Sequence, residues 1–130
     1  VAQQRHNMSV IYCPRTHAYF GHDPYPLLAM RKAGVRVVLG TDGRCSNPDL
    51  NILEEMRHVA AHFPLPPGDA LQLVTQAAAE ALGLEAELGT IAPGKAARFC
   101  PIQLPPSSGQ LRDPHEALLD PSASVQSIVP

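Results

Sequence analysis

An α/β architecture built on parallel strands is predicted by three observations. Two short runs rich in β-branched and aliphatic residues, 8–13 and 35–39, read as buried strands, and the segment between them has a helical pattern. Strand, helix, strand is the crossover unit, which makes the two strands parallel and their carboxyl ends adjacent. After the second run, Gly40-Thr41-Asp42-Gly43 turns the chain sharply and sets Asp42 at the carboxyl end of a buried strand. In parallel α/β proteins that end gathers ligands and catalytic side chains. Asp42 reads equally well as a turn residue that accepts backbone N–H groups.

Taken in order, residues 2–6 look like the tail of a polar helix, and the start at Val1 rather than Met suggests a piece of a longer protein. Pro14 stops the first strand, and Arg15, Thr16, His17 and His22 follow as a polar loop. Asp23-Pro24 has the form of an N-cap with proline at the first helical position; Leu27, Leu28, Met30 and Ala33 supply apolar contacts and Gly34 ends the helix. Arg15, His17 and Asp42 are then expected to face one cleft.

Asn47-Pro48 is expected to start the next helix, in which Leu50, Leu53, Met56, Ala60 and Phe63 recur at helical spacing and Glu54, Glu55 and Arg57 fall elsewhere around it. Pro64, Pro66, Pro67 and Gly68 break the pattern. An alanine-rich helical region, 69–82, follows, divided near Thr75 and closed by Gly83. Pro93-Gly94 suits a type II turn, 98–104 reads as a strand, 105–109 as a loop, and 125–129 as a short apolar stretch.

At 130 residues the chain is long enough for one domain with a core and short of the about 250 of a complete barrel enzyme. Ten Lys plus Arg against twelve Asp plus Glu leave a net charge of −2 with no run of either sign. That balance argues against nucleic-acid and membrane-surface partners. Cys13, Cys45 and Cys100 are odd in number and widely spaced, so they form neither a disulfide framework nor a CxxC knuckle. They fit reduced thiols in the cytoplasm, and no run is apolar enough for a membrane span or a signal peptide.

Several side chains could carry chemistry. His17 and His22 could orient a substrate or take a proton, or could be ordinary exposed histidines. Arg15 could grip an anionic or carbonyl group with its planar fork, or form a structural ion pair. His58 and His62, four apart, have the spacing that can bring two imidazoles to one metal, but no zincin glutamate or third ligand accompanies them, and a solvated helix face explains them as well. Gly94-Lys95 lacks the earlier glycine and the following Ser or Thr of a phosphate loop.

The segments 10–17, 33–43, Ser46-Asn47, Thr75 with Ala79 and Ala81-Leu82-Gly83, and 88–95, in that order, resemble the carboxyl-terminal part of the metal-dependent amidohydrolase superfamily. The branch is that of chlorohydrolases and of cytosine, guanine and adenosine-type deaminases, and the likeness covers about residues 5–100. It implies that the two strands are the seventh and eighth of a (β/α)8 TIM barrel, that 1–86 belongs to that barrel, and that 87–130 forms part of a small composite β-domain with a tail. It also implies that Asp42 is the catalytic aspartate of strand eight, binding a divalent zinc or iron or taking the proton of the hydrolytic water. Arg15, His17, Ser46 and Asn47 would contact the substrate. Two positions depart from the family pattern: Ala97-Arg98 stands where Ala-Asp usually follows the Gly-Lys turn, and His17 stands where many relatives have Asn.

The implied function is hydrolysis of a non-peptide C–N bond, deaminating a small heterocyclic substrate. The His-x-His pair of the first strand and the histidines of strands five and six lie outside this stretch, so the chain alone is expected to hold no metal and to be inactive. Release of chloride or opening of a ring amide on the same scaffold is the alternative chemistry. A non-catalytic α/β module, its open sheet edges covered by self-association into a homo-oligomer, is the alternative without chemistry.

Overall fold

The computed structural model describes residues 8–106 and 113–126. The helical tail expected at 2–6 lies outside them, as do 107–109 of the expected loop and 127–129 of the expected apolar stretch. The first strand, β1 (Ser9–Tyr12), pairs in parallel with β2 (Arg36–Leu39), with Ser9 opposite Arg36 and Tyr12 opposite Leu39. Their carboxyl ends are therefore side by side. Gly40 N–H extends the ladder to the Tyr12 carbonyl at 2.9 Å. A Cβ on Gly40 would stand 2.7 Å from Ile11 Cγ2 and 3.2 Å from Cys13 Sγ, so the strands approach this closely only with glycine there.

Two elements differ from expectation between these strands. Pro14 does not merely stop β1; it occupies the first turn of a short helix, α1 (Pro14–Tyr19), where its missing N–H costs nothing. The segment read as a polar loop is thus helical. The next helix, α2 (Leu27–Lys32), begins four residues after Asp23 with Pro26 as its cap. Asp23 and Tyr25 each precede a proline, whose ring pushes them out of helical backbone geometry.

After β2, Leu50 has a φ of +54° and α3 (Ile52–His62) starts only at residue 52, later than Asn47-Pro48 suggests. Side chains have taken the backbone donors that a helix would use. Asn47 Oδ1 accepts from Leu50 N–H at 3.0 Å, Asp49 Oδ1 from Asn51 N–H at 2.9 Å, and Asn51 Oδ1 caps the helix through Leu53 N–H at 3.0 Å.

The alanine-rich region divides as expected, into α4 (Pro67–Gln72) and α5 (Gln76–Leu82), with Thr75 at the break and Gly83 in left-handed geometry behind it. Lys95 N–H reaches the Ala92 carbonyl across Pro93-Gly94, and Gly94 has the φ of +86° that a type II turn needs. Of the strand expected at 98–104, only β3 (Ile102–Gln103) pairs. It runs antiparallel to β4 (Ser124–Val125), and a 3₁₀ helix, Pro114–Leu119, precedes β4.

Helices α2, α3 and α5 pack on β2, and the core gathers Tyr12, Leu27, Val37, Leu39, Met56 and Val59 on that side of the sheet. Leu27, Met56 and Val59 are fully buried, each worth about 1.5–3 kcal/mol of transfer free energy. Ile11, on the opposite face, is 67% exposed. Val38, its partner across the ladder on that face, is buried, so the face is open at β1 and covered at β2, and Asp42 at the carboxyl ends is exposed.

Candidate active site

Asp42 lies just beyond β2, exposed, with a φ of +56°. That left-handed conformation is strained for a side-chain-bearing residue and is tolerated best by Asp and Asn. Its Oδ2 accepts from Ser46 Oγ at 3.2 Å, and Ser46 Oγ lies 3.2 Å from Thr16 Oγ1. A serine hydroxyl has one proton, so when Ser46 donates to Asp42 it is Thr16 that donates to Ser46. Both hydroxyl residues are buried, at 5% and 7% exposure, so bulk water competes little for these bonds. Cys13 is beside them: burial first, then the charges of Asp42 and Glu55, push its thiol pKa up, which keeps it in the unreactive protonated form.

Arg15 and Asn47 meet elsewhere, on the carboxylate of Glu55. Glu55 has no exposed surface; its Oε1 accepts from Asn47 Nδ2 at 2.5 Å and its Oε2 from the Arg15 backbone N–H at 3.0 Å. Arg15 Nε lies 3.6 Å from Oε1, while Arg15 Nη1 donates to Asp49 at 2.9 Å. The bond to Asp49 is the main cause of the raised Arg15 pKa and holds the Asp49 carboxyl below its usual range.

His17 makes its contacts with an aromatic cluster rather than with the Thr16–Ser46–Asp42 hydroxyl chain. Successive residues on a helix point about 100° apart, so in α1 Thr16 faces Ser46, Arg15 reaches α3, and His17 turns to the aromatic cluster. The expected single cleft of Arg15, His17 and Asp42 rested on reading this segment as a loop. His17 lines a cavity of about 290 Å³ with Tyr12, His22, Tyr25, His58 and His62. Tyr25 stacks on Tyr12 at 3.8 Å, and His17 meets both rings edge-on. His58 and His62 stack nearly parallel at 4.1 Å, and His62 Nδ1 is 2.7 Å from the His58 carbonyl, so the pair is directed at each other and at backbone rather than at one metal position. A larger cavity, about 330 Å³, opens near Arg31, Arg36 and Glu80 at the amino ends of the strands, away from Asp42.

Among the described residues no three His, Cys, Asp or Glu side chains converge as a metal site. Asp42 fits one place in such a site, since its carboxylate is exposed at the strand end with only Oδ2 engaged. The remaining ligands would have to come from other residues. Of the residues expected at the site, Asp42 and Ser46 are hydrogen-bonded and Arg15 and Asn47 meet on Glu55; Thr16 and Glu55, which join these contacts, were not among those expected.

The chain matches the profile of the Amidohydrolase family over residues 1–129. It is 41% identical over 101 residues to a 5-methylthioadenosine/S-adenosylhomocysteine deaminase of Desulforudis audaxviator, covering 72% of this chain and 24% of that protein. It is 36% identical over 103 residues to the protein of the same name from Teredinibacter turnerae, covering 73% and 23%. The chain spans about a quarter of the length of these curated relatives. Among solved structures it resembles an adenosine deaminase from Xanthomonas campestris with bound zinc, with a TM-score of 0.75 and 29% identity over 86% of this chain and 28% of that one. Guanine deaminase from E. coli shares the fold, with a TM-score of 0.73 at 24% identity over 86% of this chain and 29% of that one. With a family match that runs through almost the whole sequence, and the same backbone arrangement in two deaminases, this chain belongs to the amidohydrolase family.

Proposed function

We propose that this chain supplies the seventh and eighth strands, β1 and β2, of a (β/α)8 amidohydrolase barrel, with residues 87–130 contributing to a small β-domain beside it. The parallel pairing of β1 with β2 and the antiparallel β3–β4 pair support that division. The activity of the whole protein is then hydrolytic deamination of a small heterocycle, an adenosine-type compound of the kind named for its relatives. The observation that carries the reading is Asp42: an exposed carboxylate in strained left-handed geometry at the carboxyl end of a barrel-type strand, oriented by a buried hydroxyl.

A divalent ion, zinc or iron, bound with Asp42 as one donor would lower the pKa of a bound water towards about 7. The other steps belong to the side chains. The Asp42 carboxylate takes the proton of the water that attacks the ring carbon bearing the amino group, and the same carboxylate returns it to the departing nitrogen. Ser46, donating to Oδ2, leaves Oδ1 free for that transfer. His17, in its aromatic cavity, is a candidate wall of the substrate pocket; Arg15 and Asn47 hold the loops around it. In the whole protein, Asp42→Asn should lower ammonia release from 5′-methylthioadenosine by about 10²–10⁴-fold or more while the fold is retained. Turnover near the parent rate in a folded Asp42→Asn protein would overturn the assignment.

A further inference from the structure

We propose that Glu55 is a positioning residue that fixes the Asp42 carboxylate by tying helix α1 to the loop after β2; this rests on the catalytic reading of Asp42. Glu55 is on α3 and does not touch Asp42. Its carboxylate, with no exposed surface, grips residue 15 by the backbone N–H and residue 47 by the side-chain amide. The residues immediately adjacent to those two, Thr16 and Ser46, form the hydroxyl pair whose Ser46 member donates to Asp42. One buried acid therefore sets the separation of the segments that follow β1 and β2, and that separation decides whether Thr16, Ser46 and Asp42 remain in register.

A buried carboxylate is costly unless every oxygen is partnered, and well-packed apolar residues often do as well for stability. Both Glu55 oxygens are partnered here, and the hydrogen-bonded partners belong to the two segments that carry the Asp42 relay, helix α1 and the loop after β2. Packing alone would be served by leucine or methionine at this position, like Leu53 and Met56 beside it, but neither could hold two donors at fixed positions. Asn47 is in turn locked, since its Oδ1 accepts from Leu50 N–H, so it cannot swing away from Glu55 without breaking a second bond.

The test uses the active whole protein. Glu55→Gln keeps the volume but presents an N–H₂ to one of two donors, so one contact is lost. The expected result is a fall in kcat of about 10–100-fold, typical for partners one step removed from the reacting groups, with KM changed less than about threefold. Ser46→Ala, which cuts the relay directly, should give a similar loss. The double variant should be no slower than the slower single one, because both act through the orientation of Asp42. Retention of kcat within about twofold in folded Glu55→Gln, or a double-variant loss equal to the product of the single losses, would overturn the proposal. If Glu55→Gln fails to fold, Asn47→Ala, which removes the amide that Glu55 Oε1 holds, replaces it in the same cycle with the same expectation. Activity surviving Asp42→Asn would overturn the catalytic reading itself, whereas inactive Asp42→Asn with full activity in Glu55→Gln would overturn only the positioning role.

Discussion

Among the described residues, two non-glycine residues, Asp42 and Leu50, hold positive φ, and both flank the loop that carries Ser46 and Asn47. Left-handed geometry costs an L-residue about 1–2 kcal/mol. The loop offsets it with side-chain bonds: Ser46 to Asp42 at one end and Asn47 to Leu50 at the other. His58, on α3, offers a prediction in pH. Burial, then the neighbouring His62 ring and Arg15, push its pKa below the ordinary 6.5. The folded state therefore binds fewer protons than the unfolded chain once pH falls below about 6.5. His58 stability is complete above that value and is lost as pH drops from it towards the depressed folded pKa. Urea midpoints measured between about pH 7.5 and about pH 5 should fall less steeply for His58→Gln than for the parent. Equal slopes would show that His58 ionises as freely in the folded protein as in the unfolded chain. At this scale the sequence pointed to Asp42, because a carboxylate after a Val-rich strand and between glycines has few local explanations. It concealed Glu55, because an acid on an amphipathic helix is ordinarily solvated, and only the fold reveals that Arg15 and Asn47 come from forty and eight residues away to meet it.

Helix α3 joins the two halves of the structure, with Glu55 facing the segments after β1 and β2 and Arg57 facing the carboxyl-terminal segment. Arg57 Nε donates to the Leu118 carbonyl at 2.8 Å, and Nη2 donates to the carbonyls of Asp120 and Ala123 at 2.7 and 2.6 Å; Nη1 pairs with Glu54. These are charge-assisted bonds to carbonyls at the end of the 3₁₀ helix and in the turn before β4, so a single side chain anchors a segment that has little regular structure of its own. Arg57→Met should destabilise the fold by about 2–4 kcal/mol and remove hydrogen-exchange protection from the Ala123 amide, while β1 and β2 amides keep theirs. Unchanged protection at Ala123 would mean that Ala117 and Leu118, packed beneath, hold the segment unaided. The strands, the division of the alanine-rich region at Thr75 and the Pro93-Gly94 turn were legible because strand patterning and glycine or proline chemistry are local. The helix starts were not. The start of α2 was decided by two X-Pro steps, and that of α3 by Asn47, Asp49 and Asn51 competing for backbone donors, contests whose outcome local pattern alone does not settle. Strand 98–104 shortened to two residues because its partner, β4, is itself only two long.

Among the described residues the parallel sheet has two strands. Parallel sheets are characteristically buried on both faces, and a two-stranded sheet is marginal without further cover. Here helices cover one face, whereas the other is covered only at β2, where Val38 is buried, and Ile11 is 67% and Met8 is 70% exposed on or beside it at β1. The core does hold together around α3, and every buried side-chain polar atom among the described residues has a partner. The local design is therefore consistent, and the deficit is one of cover. This chain spans about a quarter of the length of its relatives, and the fold it shares with the deaminase structures covers 28% and 29% of those chains. In the proposed barrel, the sixth and first strands would flank β1 and β2, and Ile11 and Val38 would face the barrel interior. Isolated, the 130-residue chain should unfold in urea with a broad transition, bind an apolar dye and self-associate as concentration rises. Co-expressed with the six preceding strand–helix units, it should become monodisperse, lose dye binding and show a steep transition. A sharp, concentration-independent transition of the isolated monomer without dye binding would mean that α3 and its contacts suffice. A sharp transition whose midpoint rises with concentration would instead assign the open edges to a second copy, and the non-catalytic module would then replace the barrel segment as the better account of the chain.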